Sequence, residues 1–185
     1  MPKSSLVIAL MGLLAGIAVS PSQAALDIGE RAPAFTTPAA KAGQVFSYAL
    51  AEHLAKGPVV LYFFPAAFTE GCSIEANEFA EATAKFEALG ATVVGVSGDD
   101  IETLSKFSVK ACNGRFPVAS DGNKAIMKSF DAVMQTRPDF ANRVTYLIAP
   151  DGKIVYNYLS LNPARHVEKT LGALRDWKRQ SSGGQ

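Results

Sequence analysis

Between residues 59 and 90 the chain changes its hydrophobic period once, and that change constrains most of what it can fold into. Val59-Val-Leu-Tyr-Phe-Phe64 is a continuous apolar run of strand length, which reads as a buried strand. Beyond it Phe79, Ala82, Phe86 and Leu89 recur at helical spacing until Gly90 supplies a stop. Between the two patterns lies Pro65-Ala-Ala-Phe-Thr69-Glu-Gly-Cys72-Ser-Ile-Glu75. Cys72 is therefore expected on a strand-to-helix connection, at or near a helix N-terminus. Free backbone N–H groups and the positive end of the helix dipole favour an anion at such a place, so a sulfur there is favoured as the thiolate. The stretch predicts a reactive cysteine, whereas a cysteine on a buried strand would be core filler.

At the start of the chain, Met1-Pro-Lys3 precedes an apolar, uncharged run from Leu6 to Val19, followed by Ser22-Gln-Ala24. A basic start, a short apolar stretch and a small-x-Ala site predict a secretory leader over residues 1–24, cut after Ala24. The run is shorter than the roughly 18–20 residues of a membrane span. No cysteine stands at the cut to carry a lipid, so no stable membrane association is expected once the leader is removed. The mature chain is then exported and periplasmic, where disulfides persist. One of the 18 basic residues lies in the leader, which leaves 17 of each sign in the rest. That balance argues against a nucleic-acid partner and against an anionic membrane surface.

Residues 25–180 suit one compact domain. Its opening, 25–43, is punctuated by Pro33 and Pro38 and reads as loop with at most one short strand. A strand over 44–48 and a helical turn over 50–55 follow, then the buried strand at 59–64, a helix at about 73–89 and a second buried strand at 92–97. Strand, helix and strand at this spacing predict a crossover with parallel strands. Asp99 with Glu102 reads as a capping box, opening a helix that carries Leu104, Phe107 and Ala111. A short extended piece at 116–119 and a short helix marked by Ile126, Phe130 and Val133 come next, and 135–142 is loop. Two strands, 143–148 and 153–158, flank Ala149-Pro-Asp-Gly152, a hairpin signal. Asn162-Pro163 reads as N-cap and first helical position, and Val167, Leu171, Leu174 and Trp177 face the core from the last helix. Residues 181–185 read as a disordered tail. This order of elements is that of an α/β, thioredoxin-like fold, a central mixed sheet with helices on both faces.

The chain holds two cysteines, Cys72 and Cys112, and two histidines, His53 and His166. There is no Cys-x-x-Cys for a disulfide exchanger. The four residues match no familiar ligand spacing, so no metal is expected. Both histidines read as packing or solvated residues, and no flanking signature supports a Cys–His pair.

Pro65-x-x-x-Thr69-x-x-Cys72 resembles the active-site signature of the peroxiredoxins, the thiol-dependent peroxidases. The resemblance runs through the mature domain, from Ile28-Gly-Glu-Arg-Ala-Pro-Ala-Phe35 through Asn142-Arg-Val-Thr-Tyr-Leu-Ile148 to Pro150-Asp-Gly152. Phe68-Thr-Glu-Gly-Cys-Ser-Ile-Glu-Ala76 is most similar to the bacterioferritin-comigratory, or Q-type, branch. The resemblance implies that Cys72 is the peroxidatic nucleophile and that Arg143 donates to sulfur and peroxide in its fork geometry. It implies that Thr69 hydrogen-bonds the thiolate and the bound peroxide, and that Pro65 shields the sulfur from water. Glu75, one turn after Cys72, would orient the arginine from behind; a glutamate at a helix start also gains from the dipole alone.

At position 77, where many Q-type members carry a second cysteine, this chain has Asn77. Cys112 is then the candidate resolving cysteine; an inert buried thiol and a permanent structural bridge are the other readings. The expected function is reduction of hydrogen peroxide and small organic hydroperoxides, with recycling by a thioredoxin-like dithiol protein and without an organic cofactor. A chain lacking a dimer-swapping C-terminal arm is expected as a monomer or weak dimer. The alternative is a non-catalytic thioredoxin-fold module for binding or redox sensing, held by a structural Cys72–Cys112 disulfide.

Overall fold

The computed structural model describes residues 25–183; the leader predicted over 1–24 lies outside them. Strand β3 (Val59–Phe63) is buried along its whole length, as its unbroken apolar run requires. It pairs in parallel with β4 (Thr92–Ser97) and antiparallel with β6 (Val144–Ile148). Outside these lie β5 (Val118–Ser120), β1 (Thr36–Lys41) and β2 (Gln44–Ala49) on one side and β7 (Ile154–Leu159) on the other. The order is β2-β1-β5-β4-β3-β6-β7, a mixed sheet of the expected thioredoxin-like kind.

Alternation along β3 divides the core in two. Val59, Leu61 and Phe63 point to the face covered by α1 (Leu50–Leu54) and α4 (Ala125–Ser129). Val60, Tyr62 and Phe64 point to the opposite face, under α2 (Glu70–Ala88), α3 (Ile101–Lys110) and α5 (His166–Ser182). On that second face Phe79 and Phe86 of α2 are fully buried, and Phe79 stacks on Tyr62 with centroids 4.4 Å apart. Each such side chain contributes about 1.5–3 kcal/mol of apolar burial.

Local chemistry sets the ends of the elements. Gly90 stops α2 with φ +80°: its N–H donates to the Glu87 carbonyl and that of Ala91 to Phe86, the paired bonds of a Schellman end. Helix α2 starts at Glu70, about one turn before the expected position, with Thr69 as its extended N-cap. The cap of α3 is Asp100, not Asp99; Asp100 Oδ1 accepts from the Thr103 N–H at 2.7 Å. Strand β1 is the short strand allowed for within 25–43, and it runs through Pro38. The ladder to β5 covers only Ala39 and Ala40, so the missing proline N–H falls beyond its end. Val133 lies outside α4, bridged to Ala141. Asn162 Oδ1 accepts from Ala164 N–H across a 3₁₀ turn (Pro163–Arg165) that leads into α5. Helix α5 extends through Ser181 and Ser182, two residues that were expected to be disordered tail; the Ser181 hydroxyl donates to the Trp177 carbonyl. Among the described residues no helix is long and apolar enough to cross a membrane.

Candidate active site

The register of β3 on β6 builds the site. Phe63 pairs with Val144, so the end of β3 and the start of β6 are neighbours. The chain leaving β3 becomes the loop 64–69, and Arg143 stands beside it. Arg143, Thr145 and Leu147 share one face of β6 by alternation, the face under α2 and α5. Cys72, in the first turn of α2, thus meets Arg143 across a gap that the sheet fixes.

Arg143 is 5% exposed and uses all of its guanidinium nitrogens. Nη2 donates to the Cys72 sulfur at 3.4 Å, Nη1 donates to Glu75 Oε2, and Nε donates to the Leu161 carbonyl at 3.1 Å. The fork therefore bridges a carboxyl and a sulfur while a carbonyl pins its base, which is the planar geometry that a lysine cannot reproduce. Cys72 is 1% exposed and packs with Phe64, Ala76 and Phe79. Its apolar surroundings leave Arg143 as the cation in direct contact with the sulfur.

Glu75 is fully buried. Burial raises its carboxyl to about 8, with Arg143 pulling the other way. Behind it lies His166, at the start of α5 and fully buried, with Nδ1 at 3.5 Å from Glu75 Oε1 and 2.8 Å from the Thr145 hydroxyl. Its Nε2 meets the Ser160 carbonyl at 2.9 Å. Burial holds the His166 ring down to about 4, and Arg143 acts in the same direction.

Thr69 differs from its expected role. Its hydroxyl donates to the Ala66 carbonyl at 2.9 Å and not to the sulfur, closing the loop onto itself. Pro65 opens that loop half-exposed, and Phe68 stands in the left-handed region at φ +63°, 47% exposed, edge-on to Phe107. A bulky residue rarely adopts that conformation unless its neighbours impose it. Asp99 is one such constraint. Its Oδ2 accepts from the Ala67 N–H at 2.8 Å and from the Ser97 hydroxyl at 2.7 Å, tying the loop to the end of β4.

Cys112 is fully buried two residues beyond the end of α3, in the same apolar cluster as Cys72. Burial pushes its thiol well above the usual cysteine range. Both sulfurs are free thiols in this structure. The turn after Cys112 places Asn113 and Gly114 at φ +50° and +65°. The tip of the β1–β2 hairpin clasps the adjoining helix: Gly43 N–H donates to Ser108 Oγ at 3.0 Å, and Ser105 Oγ donates to the Gly43 carbonyl at 2.9 Å.

Three residues of this site escape a reading of the sequence. Gly71 has no left-handed φ to betray it; a Cβ there would stand 3.3 Å from Arg143 Nη2. Asp99 has the sequence context of a helix cap. His166 reads as a packing residue because its partner Glu75 is 91 positions earlier. His53 stacks on Tyr48 and lies outside the site.

A thioredoxin-like sheet that places a buried cysteine in the first turn of a helix, against an arginine from a neighbouring strand, defines a thiol-dependent peroxidase. The chain belongs to the AhpC/TSA family, the peroxiredoxins, whose model matches residues 28–157. It is 30% identical over 128 residues to Peroxiredoxin Bcp of Xanthomonas campestris pv. campestris, covering 66% of this chain and 79% of the relative. It is 34% identical over 123 residues to the chloroplastic Peroxiredoxin Q of Sedum lineare, covering 65% of each. Among solved structures, the peroxidoxin BcpB of Mycobacterium tuberculosis superposes with a TM-score of 0.73 at 28% identity, over 80% of this chain and 96% of that one. The PrxQ C47S mutant of Xylella fastidiosa gives 0.74 at 28% identity, over 83% and 98%.

Proposed function

We propose that Cys72 is the peroxidatic cysteine of an exported peroxiredoxin that reduces hydrogen peroxide and small organic hydroperoxides. The observation that carries this reading is the bridge from Arg143 Nη2 to the Cys72 sulfur, 3.4 Å long, with Glu75 behind it. The Cys72 thiolate attacks one peroxide oxygen, a sulfur–oxygen bond forms, and the oxygen–oxygen bond breaks. Hydroxide or alkoxide leaves and takes a proton to become water or alcohol, and the sulfur is left as a sulfenic acid. Arg143 lies where charge gathers on the leaving oxygen. Thr69, with its hydrogen committed to Ala66, offers its oxygen to a peroxide O–H; Pro65 limits water at the sulfur.

Cys112 then attacks the sulfenic sulfur as a thiolate, water is released, and a Cys72–Cys112 disulfide forms. A thioredoxin-like dithiol protein reduces that bridge by exchange, restoring two thiols. The buried, strongly protonated Cys112 requires its turn to open first. The working species is a monomer or weak dimer, and the leader over 1–24 directs the chain to the periplasm.

Stopped-flow peroxide consumption by the reduced protein tests the reading. Cys72→Ser is expected to abolish it. Cys112→Ser is expected to consume one equivalent and stop at the sulfenic acid. Retention of full consumption by Cys72→Ser overturns the assignment. N-terminal sequencing of the mature protein from a periplasmic extract, expected to begin at Ala25, tests the export.

A further inference from the structure

Beside the Tyr62 hydroxyl, which also lacks a partner, one charged group of the site has an oxygen left over. Glu75 Oε2 takes Arg143, whereas Oε1 of the same carboxyl is buried with no hydrogen bond. The ionisable group that faces Oε1 is His166, its Nδ1 at 3.5 Å. A carbonyl can only accept, so the contact of His166 Nε2 with Ser160 O at 2.9 Å puts the ring hydrogen on Nε2. In the neutral ring Nδ1 is then a single lone pair, faced by both the Thr145 hydroxyl at 2.8 Å and Glu75 Oε1 at 3.5 Å. An ionised Oε1 would face that lone pair where solvent cannot reach either group. A hydrogen on Oε1 makes the same contact attractive.

Counting charges leads to the same place. With Cys72 a thiolate, Arg143 a cation, Glu75 a carboxylate and His166 neutral, the buried cluster holds one uncompensated negative charge. One proton on the Glu75–His166 pair brings it to zero, and uncompensated buried charge is what interiors resist most strongly.

We propose that Glu75 carries a proton on Oε1, directed at Nδ1 of His166, and that His166 is thereby a positioning residue for the peroxide reaction of Cys72. The proposal rests on Cys72 being the reacting sulfur. A protonated Glu75 still accepts from Arg143 through Oε2 and so aims the fork, but it does not cancel the guanidinium charge. That charge acts instead on the sulfur and on the departing oxygen. The groups around Glu75 agree with this arrangement. Arg143 approaches from the start of β6 and His166 from α5; Cys72 lies one turn back on α2 and Glu78 one turn on. Tyr62 of β3, a phenol held protonated by burial, stacks on Phe79. Glu78 adds like charge, which favours the protonated form of Glu75. Burial raises the Glu75 carboxyl and lowers the His166 ring, the directions that agree with the proton on the carboxyl.

The test is the rate of Cys72 oxidation by hydrogen peroxide from pH 6 to 10, together with the infrared band of a protonated carboxylic acid. Wild type is expected to slow about tenfold on a limb centred near pH 8, where Glu75 loses its proton. Glu75→Gln places an amide N–H where the proton sits; it is expected to keep the low-pH rate within about threefold and to show no limb. Glu75→Ala releases the fork and is expected to lose about a hundredfold at every pH. His166→Gln is expected to shift the limb without removing it, which a purely packing role would not do. The infrared band is expected in wild type below pH 8 and absent from Glu75→Gln. The proposal is overturned if Glu75→Gln is as slow as Glu75→Ala, if His166→Gln leaves the limb in place, or if wild type lacks the band. A wild type that consumes no peroxide sinks the reading of Cys72, and with it the positioning role, while the infrared band still locates the proton.

Discussion

Arg143 holds the Cys72 sulfur with one arm of its guanidinium and Glu75 with the other, so the two side chains on α2 are read by a single rigid plane. A point charge cannot do both. Arg143→Lys is therefore expected to lower the rate of peroxide consumption by about 10²–10³-fold, the cost of losing one oriented donor at a developing anion. Steady-state kinetics with hydrogen peroxide checks this; a loss of less than tenfold would show that charge alone suffices.

Gly71 makes room for that plane. A methyl group there would sit 3.3 Å from Nη2, and Arg143 cannot retreat because Leu161 O and Glu75 hold its other nitrogens. Gly71→Ala is expected to cost about tenfold in peroxide rate through a displaced fork, even though alanine favours the helix by about 1 kcal/mol. Higher stability with lower activity is the signature to measure, by denaturation and stopped flow on the same sample.

In the proposed cycle Cys112 reacts only when its turn opens. The Ser105 and Ser108 contacts to Gly43 fasten the end of α3, which leads into that turn, to the β1–β2 hairpin, and each is worth about 0.5–1.5 kcal/mol. Ser105→Ala is expected to speed disulfide formation after a peroxide pulse by about two- to tenfold, since weakening the closed form raises the open fraction. Quenching the pulse with an alkylating reagent and weighing the products gives the rate; an unchanged rate would place the opening elsewhere.

Glu75 should make its own contribution to stability fall between pH 6.5 and 8. In the unfolded chain Glu75 loses its proton near pH 4.3, while in the folded protein it keeps it to about 8. Folding thus takes up a proton in this window, and stability is lost as pH rises through it. His166 has the opposite sign. It is held to about 4 in the fold, so its contribution is lost as pH falls below about 6.5. The buried Cys112 thiol begins to contribute only above about 8.5, where an unfolded cysteine ionises. Glu75 alone then removes about 2 kcal/mol between pH 6.5 and 8. Denaturant titrations of Cys72→Ser, in which the site sulfur no longer titrates, should show that slope, and those of Cys72→Ser/Glu75→Gln should not.

The parts of this molecule legible from sequence are those whose cause is local. An unbroken apolar run made β3, a 3.6-residue period ended by glycine made α2, and Cys72 at their junction followed. The arginine came through family resemblance, and the register Phe63 on Val144 supplies its physical reason. What escaped depends on contacts between distant segments. Asp99 and Asp100 are adjacent acids before a helix, and only the position of Ala67 N–H makes one a loop clasp and the other a cap. Nothing near residue 166 announces Glu75. Pro38 blurred the bounds of a strand that the short reach of β5 permits.

A second sulfur locked in the core has a price for the first. In the proposed cycle Cys72 waits as a sulfenic acid until the turn around Cys112 opens, and a second peroxide reaching it there carries the sulfur on to sulfinic acid, which dithiols do not restore. In that cycle the packing that keeps Cys112 sealed would set a ceiling on the oxidant the enzyme survives, and at high doses it would behave as a fuse.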